Sequence, residues 1–384
     1  MSMKLIALVL LLLFATPNAV VRQTPKKLPG FTRFLLLEQS SETSANVSIG
    51  DLNGDGFPDL VLAKGRHWPL IDRVLLNDGH GRFPNPHNLG DVADRSYSVT
   101  LADIDRDGDL DVVVGNDAPD PKRVYANDGK GDFHLLSTFG RPEWPTRLAT
   151  TADVNGDGLP DILVANRAAD LKGPNYVCFN KGKGQFDADC FAFSHENATT
   201  ITPADVNGDG FVDLIVPHRD GGQSYVYIND GKGGLAKRIP FGPADSQIRV
   251  SKAADLNHDG LMDIVAIDER RGAFIFFGEK GTTFSQAVPI TATKGVTPYA
   301  LTIGDLNGDG AIDVVIGNVE APSVVYFNDG SGRTFTSVTF GDNKGTVYGF
   351  AIGDLDGDGS QDIAVARSDA PNVVYFGGLA AAPH

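Results

Sequence analysis

Basic residues are in the minority in this sequence of 384 residues. It contains 33 Lys and Arg against 49 Asp and Glu, which gives a formal net charge of −16 at pH 7. This balance argues against a nucleic-acid partner, because phosphates require a basic binding face. The positions of the acidic residues are therefore more informative than their number.

Long apolar segments are also scarce. The run from Leu5 to Ala15 follows Lys4, and it is far shorter than the roughly 20 residues that a membrane-spanning helix needs. Such a run near the amino terminus is typical of an export signal. We predict a signal peptide at residues 1–21, no transmembrane segment after its removal, and a secreted protein, either periplasmic or extracellular. An uncleaved anchor is the alternative.

Cysteine and tryptophan are almost absent, with two residues of each, whereas 45 Gly and 22 Pro indicate many turns. Cys178 and Cys190 flank a predicted turn at residues 180–184. In an exported protein they can form a disulfide across this turn. Two buried thiols in neighbouring strands are the alternative, and the sequence leaves both open.

One motif dominates what is present. The pattern Asp-x-Asn/Asp-x-Asp-Gly-x-x-Asp occurs seven times, at spacings of 49 to 52 residues. The copies span residues 51–59, 103–111, 153–161, 205–213, 255–263, 305–313 and 354–362. Self-similarity at so even a period predicts a repeat architecture.

The segments around each motif predict four short strands. An alternating segment precedes the motif, a β-branched run such as Val112–Val114 follows it, and a third segment leads into turns such as Asn77–Gly79. Turns of this type between β-rich runs are a strong hairpin signal. We therefore predict an all-β, seven-bladed β-propeller at residues 30–378, with four antiparallel strands per blade and a tail at residues 379–384.

The two ends of the repeat region predict how the ring closes. The seventh repeat stops at its third strand, Val373–Gly377, and the segment Gly30–Leu37 resembles the missing fourth strand. An amino-terminal strand that completes the last blade would remove an open sheet edge.

The repeats resemble the FG-GAP/VCBS repeats of the integrin α-chain propeller and its secreted bacterial relatives. Phe-Gly elements remain at residues 139–140, 241–242 and 340–341. The fifth repeat departs most, because it lacks the Asn-Asp-Gly turn and carries His258 where most copies have Gly. This departure weakens the prediction for its outer hairpin.

The motif chemistry predicts calcium loops, up to seven, with a structural role. Alternate residues present carboxylate or amide oxygens, the seventh offers a backbone carbonyl, and the ninth closes the shell, as a hard cation of calcium size requires. The predicted ligands of the first four loops are Asp51, Asn53, Asp55, Phe57 and Asp59; Asp103, Asp105, Asp107, Asp109 and Asp111; Asp153, Asn155, Asp157, Leu159 and Asp161; Asp205, Asn207, Asp209, Phe211 and Asp213. Those of the last three are Asp255, Asn257, Asp259, Leu261 and Asp263; Asp305, Asn307, Asp309, Ala311 and Asp313; Asp354, Asp356, Asp358, Ser360 and Asp362.

Other interpretations of the loops fit less well. An EF-hand needs a Glu at position 12 and flanking helices, magnesium demands stricter octahedral geometry, and zinc prefers Cys or His. Turns capped by Asp side chains without any metal are the remaining alternative. The side-chain positions account for 23 of the 49 acidic residues, so bound Ca²⁺ would offset most of the formal charge.

The face opposite the loops is the predicted ligand site. Aligning the repeats brings together residues thirteen positions after each first Asp, namely Lys64, Asn116, Asn166, His218, Asp268, Asn318 and Arg367. Residues six positions before it are Ala45, Tyr97, Arg147, Thr199, Arg249, Tyr299 and Tyr348. Arg66, His67 and Trp68 in the longest insert, with Trp144, add basic and aromatic groups, which suit sugar stacking and the capture of acidic groups.

Three functions remain open. We favour a monomeric binding or adhesion module for a glycan or protein ligand on this face. A lyase acting on an acidic polysaccharide is the second hypothesis, with His218 or a Tyr as base and Arg147 or Arg249 neutralising a substrate carboxylate. A calcium-dependent structural scaffold is the third. The fold does not decide between them, and whether the protein is an enzyme stays open.

Overall fold

The computed structural model describes residues 28–290 and 295–378. The predicted signal peptide and the predicted tail lie outside these residues. Every regular element in the described ranges is a β-strand, thirty in all. No helix in these ranges is long and apolar enough to cross a membrane.

The strands of the first half follow the predicted order. The first strand is β1 (Arg33–Leu36). The first two repeats form β2 (Ser44–Gly50), β3 (Asp59–Lys64), β4 (Arg73–Leu75), β5 (His87–Asn88), β6 (Ser96–Ala102), β7 (Asp111–Asn116), β8 (Lys122–Asn127) and β9 (Phe133–Phe139). The next two form β10 (Thr146–Ala152), β11 (Asp161–Asn166), β12 (Asn175–Cys178), β13 (Phe191–Ser194), β14 (Thr202–Ala204), β15 (Asp213–Val216), β16 (Ser224–Ile228) and β17 (Lys237–Phe241).

The second half is less regular. The fifth repeat forms β18 (Ile248–Ala254), β19 (Asp263–Asp268), β20 (Gly272–Phe276), β21 (Gly278–Glu279), β22 (Thr283–Phe284) and β23 (Val288–Pro289). The last two repeats form β24 (Thr297–Gly304), β25 (Asp313–Val319), β26 (Ser323–Asn328), β27 (Phe335–Phe340), β28 (Thr346–Gly353), β29 (Asp362–Ser368) and β30 (Val373–Phe376). In the fifth repeat, β21 and β22 form a separate hairpin and the outer strand β23 is only two residues long.

The prediction of seven separate blades is wrong. The described residues form five separate four-stranded sheets, while the last two repeats share one continuous eight-stranded sheet. These repeats join where Val319 of β25 pairs with Thr346 of β28. The connection from β27 to β28 covers only residues 341–345, and the Glu320 N–H donates to the Gly345 carbonyl at 2.9 Å. The short connection therefore holds the two strand ends within pairing distance.

The amino-terminal strand lies at the edge of this large sheet. β1 pairs antiparallel with β30, from Arg33 opposite Phe376 to Leu36 opposite Val373. A hydrophobic cluster packs Val47 and Leu60 of the first repeat against Ala364 and Val374 of the last. Strand pairing and core packing thus both connect the beginning of the repeat region to its end.

The core lies between neighbouring sheets. The second strand of each repeat is its most buried element, and every residue of β3, β7, β11 and β19 is buried. Adjacent sheets cover both faces of this strand, which explains its continuous apolar run. The preceding strand, by contrast, has partly exposed residues as it approaches the loop. The first strands therefore surround the axis. Each of them begins on one face of the propeller and ends at its Asp-rich loop on the opposite face.

Candidate functional site

The Asp-rich loops connect the first and second strands on one face, and their side chains fold back onto the loop backbone. In the first loop, Asp51 accepts hydrogen bonds from the N–H groups of Gly54 and Gly56 at 2.8 and 2.9 Å. Gly56 has φ = 85°, a conformation that glycine adopts without strain. The chain consequently curls around the carboxylate of the first loop residue.

The ninth loop residue has a structural role as well. Asp111 is fully buried and accepts hydrogen bonds from the N–H groups of Ile104 at 2.8 Å and Asn127 at 3.0 Å. The Asn127 amide also donates to the Leu52 carbonyl of the preceding repeat at 2.8 Å. Each such Asn thus fastens a loop to its own blade and to the neighbouring one.

Two loops carry clusters of three carboxylates that could hold a cation. The ligand oxygens of Asp103, Asp105 and Asp111 lie within 4.8 Å of one another, and so do those of Asp354, Asp356 and Asp362. This spread suits oxygens that each lie 2.3–2.6 Å from one Ca²⁺ ion. In the second loop, Asp103 Oδ1 is buried and has no hydrogen-bond partner among the described residues. An oxygen in that state fits a cation, which would satisfy it.

The electrostatics of the loops also favour a cation. Burial is the main cause that raises the pKa of Asp111 to about 6 and that of Asp362 to about 7, and the neighbouring loop carboxylates raise it further. A bound cation would reverse this shift because it favours the ionised form. In the seventh loop, the Arg33 guanidinium of β1 already contacts Asp356. The residues present therefore fit a divalent cation. At the seventh loop, the Arg33 guanidinium places a positive charge of the protein itself next to one of the predicted ligands.

A cavity of about 470 Å³ opens around the axis at the starts of the first strands. All seven residues six positions before each first loop Asp line it, as the alignment predicts: Ala45, Tyr97, Arg147, Thr199, Arg249, Tyr299 and Tyr348. At about 3.3 Å per residue, six residues place this ring roughly 20 Å from the loops. The cavity and the loops are thus at opposite ends of the same strands.

A recurrent β-bulge sets the direction of these side chains. Register shifts fall at this position in β2, β6, β10, β18, β24 and β28, where the extra residue is Ala45, Tyr97, Arg147, Arg249, Tyr299 or Tyr348. A bulge leaves one residue outside the hydrogen-bond ladder and redirects its side chain. The sequence aligns these residues but gives no sign of the bulge.

Arginine side chains of the cavity wall lie against neighbouring tyrosine rings. The Arg147 guanidinium lies 4.3 Å from the Tyr97 ring centroid, and that of Arg249 lies 3.2 Å from the Tyr299 centroid. The Tyr299 hydroxyl donates to the Tyr348 hydroxyl at 3.1 Å. Burial lowers the pKa of Arg249 to about 10, so it stays charged at neutral pH. Cation–π contacts therefore hold the wall in place without closing the cavity.

Comparison with known families now identifies the repeats. The profile described as FG-GAP-like repeat matches residues 51–114, 107–164, 153–216, 205–266, 255–316 and 305–365. Together these matches cover most of the chain. The chain belongs to the FG-GAP-like repeat family. The resemblance stated from the sequence is thereby confirmed.

Curated relatives of this FG-GAP-like protein include integrin α chains. Integrin alpha-PS3 of Drosophila melanogaster is 25% identical over 183 residues, which cover 41% of this chain and 16% of the relative. Integrin alpha-4 of Xenopus laevis is 27% identical over 150 residues, covering 33% and 14% respectively. The chain thus aligns with only about a sixth of these relatives' length.

Solved structures share the fold at low identity. The BP39L lectin from Burkholderia pseudomallei aligns with a TM-score of 0.66 at 14% identity, covering 87% of this chain and 96% of that chain. BBS1N in complex with ARL6DN aligns with a TM-score of 0.61 at 13% identity, covering 91% and 97%. At such identities the likeness shows the propeller fold alone.

The second predicted set of cavity residues lies elsewhere. Its seven members are buried and do not line the cavity: Lys64, Asn116, Asn166, His218, Asp268, Asn318 and Arg367. Most of them hold the connection to the third strand: Asn116 donates to the Pro121 carbonyl at 2.6 Å, and His218 Nδ1 lies 2.6 Å from the Gln223 carbonyl oxygen. They lie at or next to the ends of the second strands, which neighbouring sheets cover on both faces. Their placement corrects the prediction, and it removes His218 as a base acting in this cavity.

Only some of the predicted residues of the long insert line the cavity, and neither tryptophan does. Arg66 and His67 line the cavity, whereas Trp68 is exposed and outside the lining. Trp144 is buried and stacks on Tyr176 with ring centroids 3.9 Å apart, so it packs a loop onto the scaffold. Cys178 and Cys190 form a disulfide.

Sequence reasoning missed three cationic residues of the wall. Arg167 and Arg219 directly follow buried Asn166 and His218, and Lys252 lies three positions before its loop. Two further comparisons of the repeats would have found them: one at the residue that follows Asn166 and its equivalents, and one at the third residue before each first loop Asp.

Proposed function

We propose that this protein is a secreted, calcium-stabilised β-propeller that binds a glycan or protein ligand in the cavity opposite the loops. The observation that carries the proposal is the cavity itself. It is of ligand-binding size, and the repeats supply different polar and aromatic residues to it at one aligned position. The rest of the repeat pattern serves to build the scaffold.

Several features support the calcium part of the proposal. The family resemblance, the converging loop oxygens and the unsatisfied Asp103 Oδ1 all point to a hard divalent cation. The residues that would hold it are those at the first, third, fifth and ninth loop positions, with the seventh carbonyl. A bound cation would supply charge compensation, which keeps neighbouring carboxylates ionised and close together.

The disulfide supports the proposed location. Cys178 and Cys190 are bonded to each other, and such bonds persist mainly in the periplasm and outside the cell. A reducing compartment would not favour the bond.

An array of glycans and secreted proteins, probed with the calcium-loaded chain, tests the binding proposal. The test variant is Arg147→Gln, which removes a charge from the cavity wall and keeps a polar group near Asp117. The matched control is Arg82→Gln, whose side chain is exposed outside the cavity lining. We expect hits that Arg147→Gln weakens about tenfold or more and Arg82→Gln leaves unchanged. Hits that neither change affects would place binding elsewhere, and no hits at all would favour the scaffold alternative.

A further inference from the structure

The cavity wall has one sign of charge. Among its lining residues are six cationic side chains, those of Arg66, Arg147, Arg167, Arg219, Arg249 and Lys252, and no carboxylate. This concentration occurs in a chain with a formal net charge of −16. A concave surface of one sign attracts ligands of the opposite sign.

Acidic residues behind the wall pair with only part of this charge. Arg147 pairs with Asp117 at 2.6 Å and Arg167 with Asp220 at 2.6 Å. Glu269 forms ion pairs with both Arg219, at 2.7 Å, and Arg249, at 3.1 Å. Three carboxylates thus face four arginines, and the ion pairs of the described residues include neither Arg66 nor Lys252. The wall therefore has an excess of positive charge.

Lys252 is the most unusual of these cations. It lies in β18 three residues beyond Arg249, which is roughly 10 Å deeper along the strand. Five of the six equivalent residues in other repeats carry a hydroxyl, and the sixth is Ala351. Such hydroxyls link neighbouring strands: Thr100 donates to the Ala149 carbonyl and Thr202 to the Ser251 carbonyl, both at 2.8 Å. Lys252 replaces this link with a charge that has no partner among the described residues. Burial lowers the pKa of Lys252, which an anion beside it would oppose.

Other polar atoms of the wall also lack partners. The Thr200 and Ser251 hydroxyls and the Nε atoms of Arg66 and Arg219 are buried, with no hydrogen-bond partner in the part of the chain that the structure describes. All four residues line the cavity. Buried polar groups are normally hydrogen-bonded, so these point to acceptors on a ligand. Tyr97, Tyr299 and Tyr348 offer ring surface at the entrance level.

We propose that the cavity binds an acidic saccharide, with one carboxylate or sulfate held at Lys252 in the depth and a second at Arg66 near the entrance. The Thr200 hydroxyl bonds to the deeper anionic group or to a sugar hydroxyl beside it. The tyrosines contact the apolar faces of the sugar rings. This inference rests on the proposed function and adds the ligand's charge and the two residues that select it.

Isothermal titration of the calcium-loaded protein tests the proposal with three probes. They are a uronic acid disaccharide, its carboxyl-reduced neutral counterpart and a sulfated disaccharide. We expect at least one acidic probe to bind, with affinity falling as salt is raised, and the neutral probe to bind about a hundredfold more weakly or not at all. The stronger acidic probe identifies whether the site prefers carboxylate or sulfate.

Variants test the assigned residues. Lys252→Met and Arg66→Gln should each weaken the acidic probe about tenfold or more, the scale of a lost hydrogen bond to a charged group. Lys237→Met, at an exposed residue of β17, is the control and should change nothing. Arg66→Gln, at the entrance, keeps the test possible if Lys252→Met fails to fold, which thermal unfolding would reveal.

The outcomes separate this inference from the proposed function. Equal binding of neutral and acidic probes, both weakened by Arg147→Gln, would overturn the acidic ligand and leave the binding cavity standing. Acidic binding that Lys252→Met and Arg66→Gln leave intact would overturn the assigned residues. If no saccharide binds but the array gives a protein that Arg147→Gln weakens, the saccharide inference fails and the proposed function survives.

Discussion

The two faces of this propeller use the same repeats in opposite ways. On the loop face the same contacts recur, so that Asp51, Asp153 and Asp205 each accept hydrogen bonds from two glycine N–H groups of their own loop. On the cavity face, one aligned position holds Ala45, Tyr97, Arg147 or Thr199 according to the repeat. The loop face is acidic and the cavity wall is cationic. The repeated face therefore builds the scaffold, and we assign recognition to the face where the repeats differ.

This comparison assigns an energetic role to each face. Loop residues such as Asp111 satisfy buried N–H groups, so their loss should cost stability. Lys252 of the cavity wall has no partner among the described residues, so its loss should cost binding and not stability.

Removal of divalent cations should have the largest effect. Without them, the clustered loop carboxylates repel one another and weaken the fold. We expect chelation to lower the melting temperature by about 10 °C or more, since several kcal/mol are lost at a few degrees per kcal/mol. Thermal unfolding before and after chelation, with metal content verified, measures this. An unchanged melting curve after verified removal would contradict the calcium assignment.

Deletion of residues 30–37 should have the second-largest effect on stability. It removes β1 and with it the strand pairing that connects the two ends of the repeat region, and it exposes the edge of β30. We expect an aggregated protein or one that melts at a much lower temperature, measured by size-exclusion chromatography and thermal unfolding. A truncated protein that stays monomeric and equally stable would show that β1 does not close the ring.

A substitution within one loop should separate buried from exposed acids. Asp111→Asn disturbs a fully buried carboxylate that accepts two backbone N–H groups, and we expect a loss of about 2–4 kcal/mol. The control is Asp109→Asn in the same loop, where the proposed ligand is the backbone carbonyl, which the change keeps. Denaturant unfolding in calcium measures both. Equal losses would mean that overall loop charge, and not the two N–H bonds, decides stability.

Two lysines give the sharpest contrast: Lys122, which is fully buried, and Lys252, which is partly buried in the cavity wall. Lys122 donates to the carbonyls of Pro142 and Trp144 at 2.9 and 2.8 Å, whereas Lys252 has no partner among the described residues. Lys122→Met should cost about 2–3 kcal/mol, because it leaves those acceptors unpaired. Lys252→Met should leave stability unchanged or raise it slightly, because it removes an uncompensated charge. A comparable loss in both variants, measured by denaturant unfolding, would give Lys252 a structural role.

The regular part of the fold was predictable from the sequence. Seven motifs at an even spacing, with apolar runs and turns at fixed offsets, predict the strands and the pairing of β1 with β30. The number of separate blades was not predictable, because the union of the last two repeats depends on one pair, Val319 with Thr346. Periodicity carries no information about a contact of that kind.

The cavity was predictable only in part. Alignment brought Tyr97, Arg147 and Arg249 to one ring, because equivalent residues of a propeller occupy equivalent radial positions. It also predicted Asn116 and its equivalents as ligand contacts, but these residues are buried. Polar character alone does not distinguish a residue that hydrogen-bonds a strand connection from one that contacts a ligand. Arg219 and Lys252 stand at other repeat positions, which the alignment did not compare, and the structure places both in the cavity wall.

The most direct test of the division between the faces is a crystal structure of the calcium-loaded protein soaked with the preferred acidic disaccharide. We predict cations in the Asp-rich loops and the saccharide in the axial cavity, with anionic groups within hydrogen-bond distance of Lys252 and Arg66. Loops that hold no cation, or a saccharide bound on the loop face with the cavity containing only water, would contradict the account.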